Sequence, residues 1–198
     1  MKIIARGAEA TIYDNKDIVI KYRKRKGYRL KEIDETLRYS RTQREFNALK
    51  RCHDAGVRVP IPMRISDDGD RLYMEKINAA QLDYRFSPLV MSGVGDIVAM
   101  MHKAGVIHGD LTTANMLMNG KKITLIDFGL GYFSKKDEDR ATDIAMLKSA
   151  LKSRHVKVFK QAYQLFIRHY KKRIGKEFKG IETHLRDIER RRRYYENG

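Results

Sequence analysis

The spacing of the apolar residues changes along this 198-residue chain. Up to residue 75 they mostly form short runs between turn-forming residues, which predicts β-strands, and one stretch with helical spacing ends at Gly56. Beyond residue 77 they mostly recur at every third or fourth position, which is typical of helices packed on a core. The predicted strands are 2–5, 11–13, 18–22, 64–66, 71–75 and 123–126, and the predicted helices lie within 41–55, 90–101, 144–151, 156–170 and 181–188.

Strands that precede the helices, instead of alternating with them, predict an α+β fold. The change in pattern places a boundary after Ile77. It divides the chain into a small β-rich unit with one main helix, residues 1–77, and a mostly helical unit, residues 78–198. With 42% hydrophobic residues the chain can build a packed interior, and at this length two small lobes can share one core.

Three groups of polar residues fall where this organisation predicts loops or strand ends. The first is His-Gly-Asp-Leu-Thr-Thr-Ala-Asn at 108–115, and the second is Asp-Phe-Gly at 127–129, directly after a predicted strand. The third is Lys21 at the end of a strand, with Glu45 on the following helix. Each group alone is common in proteins, but their order and spacing together indicate one functional site.

These residue types suit the transfer of a phosphoryl group. Such a transfer needs neutralised phosphate oxygens and an oriented nucleophile, with little covalent work by the protein. Asp127 and Asn115 provide oxygen ligands of the kind that Mg²⁺ prefers. Lys21 provides a positive charge for the phosphates, Glu45 provides an ion-pair partner that holds it, and Asp110 is placed to orient or deprotonate a hydroxyl group or a water.

Positive charge is concentrated in two segments. The chain has 42 lysines and arginines against 25 aspartates and glutamates, a net charge of +17. Residues 21–51 carry +8 and residues 152–198 carry +10, whereas the remainder is close to neutral. Clustered cations favour a nucleic-acid partner, because they neutralise phosphates and release counterions, and a solvated basic surface is the alternative. The candidate nucleic-acid contacts are Arg23, Lys24, Arg25, Lys26, Arg29, Arg190, Arg191, Arg192 and Arg193.

Cysteine content and hydropathy indicate the compartment. The single cysteine, Cys52, cannot form an internal disulfide, which fits a reducing environment. No stretch approaches the roughly 18 apolar residues that a membrane-spanning helix needs. The sequence therefore predicts a cytoplasmic protein without a membrane partner.

The three polar groups resemble the motifs of protein kinases. Residues 18–21 are similar to the strand that ends in the phosphate-binding lysine of these enzymes, residues 108–115 to their catalytic loop, and residues 127–129 to their metal-binding motif. The resemblance implies a bilobal kinase-like fold with ATP and Mg²⁺ as cofactors. It also implies roles for individual residues: catalysis by Asp110 and Lys21, metal binding by Asn115 and Asp127, and structural support of the catalytic loop by Asp143.

The same resemblance implies a nucleotide-binding surface. Residues 74–77 correspond to the hinge whose backbone binds adenine, and Val19 and Leu117 correspond to the side chains that cover its two faces. Residues 5–10 correspond to the glycine-rich phosphate loop. The implied cofactor-binding residues are Gly7, Ala8, Glu9, Ala10, Ile12, Val19, Lys21, Glu45, Glu75, Ile77 and Leu117.

The departures from the protein-kinase pattern are informative. The phosphate loop keeps only Gly7, so fewer backbone groups can approach a phosphate closely. Gly109 stands where kinases have an arginine that reads a phosphorylated activation loop. Only residues 130–139 lie between the Asp-Phe-Gly motif and the next helix, and no Ala-Pro-Glu motif is present. The chain is therefore expected to have a truncated second lobe and no full activation segment.

The combination of these features is identified as typical of the PRPK family, the small kinase-like subunit of the KEOPS complex. The resemblance also rests on Arg-Gly-Ala-Glu-Ala at 6–10, on Lys-Gly-Tyr-Arg at 26–29 and on Arg-Thr-Gln-Arg-Glu at 41–45. It implies a Mg²⁺-dependent ATPase and atypical serine/threonine kinase that supports threonylcarbamoylation of tRNA adenosine. The implied partners are the threonylcarbamoyl-transferase subunit, other KEOPS subunits and tRNA, with no role for DNA.

Two other functions remain as alternatives. RIO-type kinases share the shortened second lobe and a similar catalytic loop, so a RIO-like or stand-alone serine/threonine protein kinase is the first. A catalytically weak scaffold that binds tRNA through its basic faces is the second. The presence of Lys21, Asp110, Asn115 and Asp127 together favours an enzyme over this scaffold.

Overall fold

The first part of the chain forms an antiparallel sheet and one long helix. This computed structural model describes residues 1–7 and 9–196, apart from the side chains of residues 85 and 192–196. The strands pair in the order β1-β2-β3-β5-β4; short turns join β2 to β3 and β4 to β5, whereas α1 lies between β3 and β4. The elements are β1 (Lys2–Arg6), β2 (Thr11–Asn15), β3 (Ile18–Tyr22), α1 (Lys31–Asp54), β4 (Pro62–Ile65) and β5 (Arg71–Glu75).

Helix α1 begins earlier than the stretch at 41–55 that its apolar spacing predicted. Ile33 and Leu37 in its first turns have helical spacing but are largely exposed, so no buried apolar stripe holds this end of the helix. This end is held by the buried Asp34, which accepts hydrogen bonds from the backbone N–H of Lys26 at 3.1 Å and from the Nε of Arg38 at 2.7 Å. A carboxylate in the first turn of a helix also interacts favourably with the helix dipole.

The second part of the chain is mostly helical. Its longer helices pack in pairs, α2 against α4 and α3 against α5, and short strands pair in the orders β6-β8-β9 and β10-β7. The α+β class predicted from the sequence is confirmed. The elements are β6 (Ala80–Gln81), α2 (Met91–Lys103), β7 (Val106–Ile107), β8 (Met116–Asn119), β9 (Lys122–Leu125), β10 (Tyr132–Phe133), α3 (Asp137–Arg154), α4 (Phe159–Ile174) and α5 (Phe178–Glu196).

Helices α2 and α4 cross in close contact at Gly95. A Cβ at this position would lie 2.5 Å from the backbone oxygen of Phe166 and 2.9 Å from the backbone nitrogen of Tyr170. Val98, Phe166 and Tyr170 are fully buried beside the crossing. Burial of such side chains stabilises a fold by about 1.5–3 kcal/mol each, so this crossing contributes strongly to the stability of the helical part.

The two parts of the chain are connected by residues 76–79. This connection leads from β5 to β6, which pairs with β8 of the helical part. The boundary after Ile77 remains a prediction. The polar group at 108–115 lies between β7 and β8, two strands that the sequence analysis did not predict because strands this short show no apolar alternation.

Candidate active site

A cleft of about 370 Å³ lies between the five-stranded sheet and the loop before β8. Val19 and Leu117 both line it, and its volume falls in the range of about 300–1,000 Å³ that is usual for small-molecule sites. Asp110 is not among the lining residues and reaches the cleft through its contact with Asn115. The sequence-predicted residues that line the cleft are Ile12, Val19, Lys21, Glu45, Glu75, Ile77, Asn115, Leu117 and Asp127.

Four charged side chains meet at the inner end of the cleft. The Nζ of Lys21 donates hydrogen bonds to Glu45 and to Asp127, both at 2.7 Å, and the Nη2 of Arg23 donates to the other Glu45 oxygen at 2.5 Å. The side chains of Lys21, Arg23 and Glu45 are at most 7% exposed, whereas that of Asp127 is 52% exposed. Two cations and two anions therefore compensate one another, with Asp127 on the solvent side.

Pairing keeps Lys21 and Asp127 ionised in spite of their environment. Burial lowers the pKa of Lys21, but the carboxylates of Glu45 and Asp127 outweigh burial and hold it above its usual value. Burial raises the pKa of Asp127, but Lys21 and the backbone N–H of Gly129 outweigh burial and hold it below its usual value. An ammonium and a carboxylate are the forms that bind phosphate and a divalent cation.

Asp127 has a strained backbone. Its φ of +63° lies in the left-handed region, which costs a residue with a side chain about 1–3 kcal/mol. A Cβ at position 129 would lie 3.0 Å from the Oδ1 of Asp127 and 3.4 Å from the Nζ of Lys21, so the glycine leaves room for this pair. Strain of this kind is typical of functional sites.

The loop between β7 and β8 holds Asp110 and Asn115 against each other. The Nδ2 of Asn115 donates to the carboxylate and to the backbone oxygen of Asp110, both at 2.9 Å. With this nitrogen engaged, the Oδ1 of Asn115 is the atom suited to bind a metal. His108 is buried, which lowers its pKa, and its Nε2 lies 3.1 Å from the carbonyl of Ile126. The neutral ring therefore donates a hydrogen bond from Nε2 to this carbonyl, which helps to hold the loop in place.

Asp143 fixes the start of this loop. Its carboxylate accepts hydrogen bonds from the backbone N–H of His108 at 2.7 Å and of Gly109 at 2.9 Å, and contacts the Nε2 of His102 at 3.2 Å. Burial raises the pKa of Asp143, but His102 and the N–H of His108 outweigh burial and lower it below its usual value. This geometry suits the supporting role predicted for Asp143.

Position 109 has no room for the arginine of protein kinases. Gly109 has a φ of +77°, and a Cβ there would lie 2.3 Å from the backbone oxygen of Leu130. Any side chain would force the segment after the Asp-Phe-Gly motif away from the loop. The close approach of this short segment therefore requires a glycine at position 109.

The predicted hinge is partly engaged in backbone pairing. The N–H of Glu75 donates to the carbonyl of Ile61 at 2.9 Å, and that of Lys76 to the carbonyl of Asp17 at 3.1 Å. Within the described ranges the backbone N–H of Ile77 has no acceptor, and Ile77 lines the cleft. This N–H is therefore the hinge group suited to donate a hydrogen bond to a nucleotide base.

The predicted phosphate loop is placed differently from expectation. Gly7, Glu9 and Ala10 do not line the cleft, and Ala8 lies outside the described residues. Glu9 instead forms an ion pair with Arg41 of α1 at 2.5 Å. Ile4 and Ala5 line the cleft at this place, and cofactor binding by Gly7, Ala8, Glu9 and Ala10 remains a prediction.

The candidate nucleic-acid residues fall into two groups. Arg23 is 4% exposed and engaged with Glu45, so the prediction that it contacts nucleic acid is wrong. The other cations of the first segment are exposed or half-buried: Lys24, Arg25, Lys26 and Arg29. Arg190 and Arg191 are exposed on α5, whereas the side chains of Arg192 and Arg193 lie outside the described residues.

Sequence reasoning missed several residues of the site. Arg23 follows Lys21 by two positions, and the alternation of side chains along a strand places both on one face. That signal could have identified Arg23 as part of the site. The lining residues outside the predicted motifs carry no signal, because they reach the cleft through long-range packing: Ile4, Leu49, Pro60, Ala79, Gln81 and Ile126.

The sheet, the helix that carries Glu45 and the loop that carries Asp110 together define a protein-kinase-like fold. The solved structure of the Rio2 kinase-ADP/Mg²⁺-phosphoaspartate complex from Chaetomium thermophilum matches it with a TM-score of 0.60 at 18% identity, covering 96% of this chain and 72% of that chain. This similarity confirms the predicted kinase-like architecture and says nothing about substrate. The model of the RIO domain family matches residues 5–146.

Curated relatives resolve the family further. The KEOPS complex subunit Bud32 of Pyrococcus abyssi is 35% identical over 215 residues, covering 99% of this chain and 97% of that protein. A protein of Methanothermobacter thermautotrophicus named "probable bifunctional tRNA threonylcarbamoyladenosine biosynthesis protein" is 38% identical, covering 97% of this chain. The chain spans 36% of the length of this second relative. The chain belongs to the RIO domain family and to the Bud32 family, which confirms the resemblance inferred from its motifs.

Proposed function

We propose that this chain is a Mg²⁺-dependent ATPase and atypical serine/threonine kinase subunit that supports threonylcarbamoylation of tRNA adenosine. The observation that carries the proposal is the pairing of Lys21 with both Glu45 and Asp127 at the edge of a nucleotide-sized cleft, next to Asn115 and Asp110. A structural ion pair would not need a strained, half-exposed aspartate between a lysine and solvent.

The residues present fit a magnesium nucleotide. Val19 and Leu117 provide apolar walls for a base, and Ile77 provides a backbone donor. Mg²⁺ usually takes one or two protein ligands together with phosphates and waters, and Asp127 and Asn115 match that number. Within the described residues there is no cluster of three or more histidine, cysteine or acidic side chains that would suit a different metal.

The side chains divide the work of phosphoryl transfer. A bound Mg²⁺ would neutralise the phosphate oxygens. Lys21 exchanges Asp127 for phosphate oxygens while Glu45 keeps its ammonium in place. Asp110, held by Asn115, orients the attacking hydroxyl or water and accepts its proton. Asp143 keeps the loop backbone fixed, so that these groups need little reorganisation during the reaction.

The KEOPS assignment rests on the relatives and on the charge distribution. The full-length relative is named as a KEOPS subunit, and the bifunctional relatives are named for tRNA threonylcarbamoyladenosine biosynthesis. We infer that this chain acts in the cytoplasm beside the threonylcarbamoyl-transferase subunit, other KEOPS subunits and tRNA. The exposed or half-buried cations at 24–29 and the exposed cations on α5 fit the tRNA. In the described part of the chain, no helix is sufficiently long and apolar to span a membrane.

A RIO-like serine/threonine protein kinase is the second candidate, because the RIO domain model matches residues 5–146. The short segment between β9 and α3 disfavours it, since little chain is available to bind a peptide substrate.

Phosphate release from ATP is the deciding measurement. It is followed with and without Mg²⁺, purified transferase partner and tRNA. The proposed function predicts Mg²⁺-dependent release that responds to the partner and tRNA. A stand-alone kinase predicts phosphate transfer to protein substrates without them, and a scaffold predicts tRNA binding without turnover. Absence of both turnover and nucleotide binding in the assembled complex would refute an enzymatic function.

A further inference from the structure

We propose that Arg23 is a positioning residue of the nucleotide site, which holds Glu45 from the side opposite Lys21. Glu45 then stays fixed when Lys21 turns from Asp127 to phosphate. The inference rests on the proposed function, because it concerns how the same cleft handles a magnesium nucleotide.

Hydrogen bonds from both the backbone and the side chain fix the position of Arg23. Its backbone N–H donates to the carbonyl of Asp70 at 2.8 Å, and its Nε donates to the Oγ1 of Thr42 at 3.2 Å. Thr42 and Glu45 are three residues apart on α1 and therefore lie on one helix face. The guanidinium spans this pair and leaves the other oxygen of Glu45 to Lys21. Glu45 is thus anchored even without its contact to Lys21.

Arg23 also sets the charge that a phosphate group meets. When Asp127 serves as a metal ligand, the inner cleft keeps Lys21, Arg23 and Glu45, with a net charge of +1. Without Arg23 these groups would be neutral. This cation matters more here because Glu9 is turned toward Arg41, and because the phosphate loop has few glycines to bring backbone donors close.

A merely structural ion pair predicts a different result from a positioning role. If Arg23 only stabilises the fold, a folded variant retains parental turnover. If Arg23 acts through Glu45, its loss lowers kcat, and the loss depends on Glu45 being present.

The test compares Arg23→Met, Glu45→Gln and the double variant in Mg²⁺-dependent ATP turnover, with melting temperature and calorimetric Mg²⁺–ADP binding as checks. Arg64→Met is the matched control, because Arg64 is an exposed arginine of the same sheet that stacks on Tyr73. We expect Arg23→Met to lower kcat about 10–100-fold with a smaller change in KM, and the double variant to be little worse than either single one. Arg64→Met should retain parental kcat.

An equal loss from Arg23→Met in the parent and in the Glu45→Gln background overturns the proposal. So does a folded Arg23→Met with parental kcat and only a lower melting temperature.

If Arg23→Met does not fold, Arg23→Lys is measured instead, because lysine keeps the charge but cannot contact both Thr42 and Glu45. Thr42→Val should then lower kcat a few-fold in the parent and have no further effect in the Arg23→Lys background. Equal effects in both backgrounds overturn the inference. A parent that neither binds nor hydrolyses Mg²⁺–ATP refutes the proposed function itself, whereas normal parental turnover with an unaffected Arg23 variant refutes only the role of Arg23.

Discussion

The basic segments 21–51 and 152–198 differ in what surrounds their cations. In the first, Lys21 and Arg23 are buried and share the two oxygens of Glu45. Their charges are compensated inside the protein, at the wall of the cleft. Buried pairs of this kind are screened little by salt.

In the second segment the cations whose side chains the structure describes, up to Arg191, face solvent. The side chains of Arg186 and Arg190 are 75% and 80% exposed, and each pairs with an acidic residue one turn away on the same helix. Such pairs stabilise a helix by about 0.3–0.5 kcal/mol and exchange readily for another anion. Similar excess charge in two segments can therefore serve catalysis in one and polyanion binding in the other.

The largest expected effect is on turnover after loss of the metal ligand. Asp127→Ala should lower Mg²⁺-dependent phosphate release about a thousandfold or more, because several kcal/mol of charge neutralisation is lost. The melting temperature and tRNA affinity should change little. Asp68→Ala, in the exposed turn between β4 and β5, is the control. Release by Asp127→Ala within about threefold of the parent would contradict the metal assignment.

A smaller loss is expected at Lys21. Lys21→Ala should lower kcat about a hundredfold while the Kd for ATP rises less, because one phosphate contact is only part of the binding energy. Lys24→Ala removes an exposed cation of the same segment and should leave turnover at the parental level. If the Kd for ATP rises while kcat stays at the parental level, Lys21 stabilises the ground state and the transition state equally, and it has no catalytic role.

The exposed segment should govern tRNA binding. Removal of residues 190–198 should weaken tRNA affinity and lower the salt slope by about 0.9 for each lost duplex phosphate contact, with ATP turnover in the absence of tRNA preserved. Filter binding across a range of salt concentrations measures both quantities. An unchanged slope would assign tRNA binding to the exposed cations at 24–29 instead.

The smallest effect concerns stability in acid. The pKa of Asp143 is lower in the folded chain than its usual 3.8, so the ionised carboxylate stabilises the fold above about 3.8. That contribution is lost as the pH falls through the lowered folded value. Asp143→Asn should cost about 2 kcal/mol at pH near 7 and show a weaker acid dependence than the parent in urea unfolding. Parallel curves for the two proteins would mean that the charge of Asp143 is not what stabilises the loop.

Part of this site was predictable because the residue types within each motif indicate its chemical role. Lys21 closes a strand of β-branched residues, Glu45 follows on a helix, and Asp127 follows a strand, so type and order alone indicated phosphoryl transfer. The early start of α1 was missed: Ile33 and Leu37 have helical spacing but stay exposed, and the anchor of this end is the buried Asp34. The inward position of Arg23 was within reach of strand alternation but was obscured by the cations that follow it.

The sequence by itself determined the class of fold, the family and the identity of the groups that would handle phosphate and metal. These follow from local patterns: the apolar spacing of each element and the residue types of each loop. The tertiary structure decided which cations are buried, that Glu9 turns to Arg41 rather than to the cleft, and that Asp127 pairs with Lys21. These outcomes depend on contacts between distant parts of the chain, 106 positions apart in the last case. Burial and pairing at such separations leave no local periodicity, so they arise only when the two parts of the chain pack together.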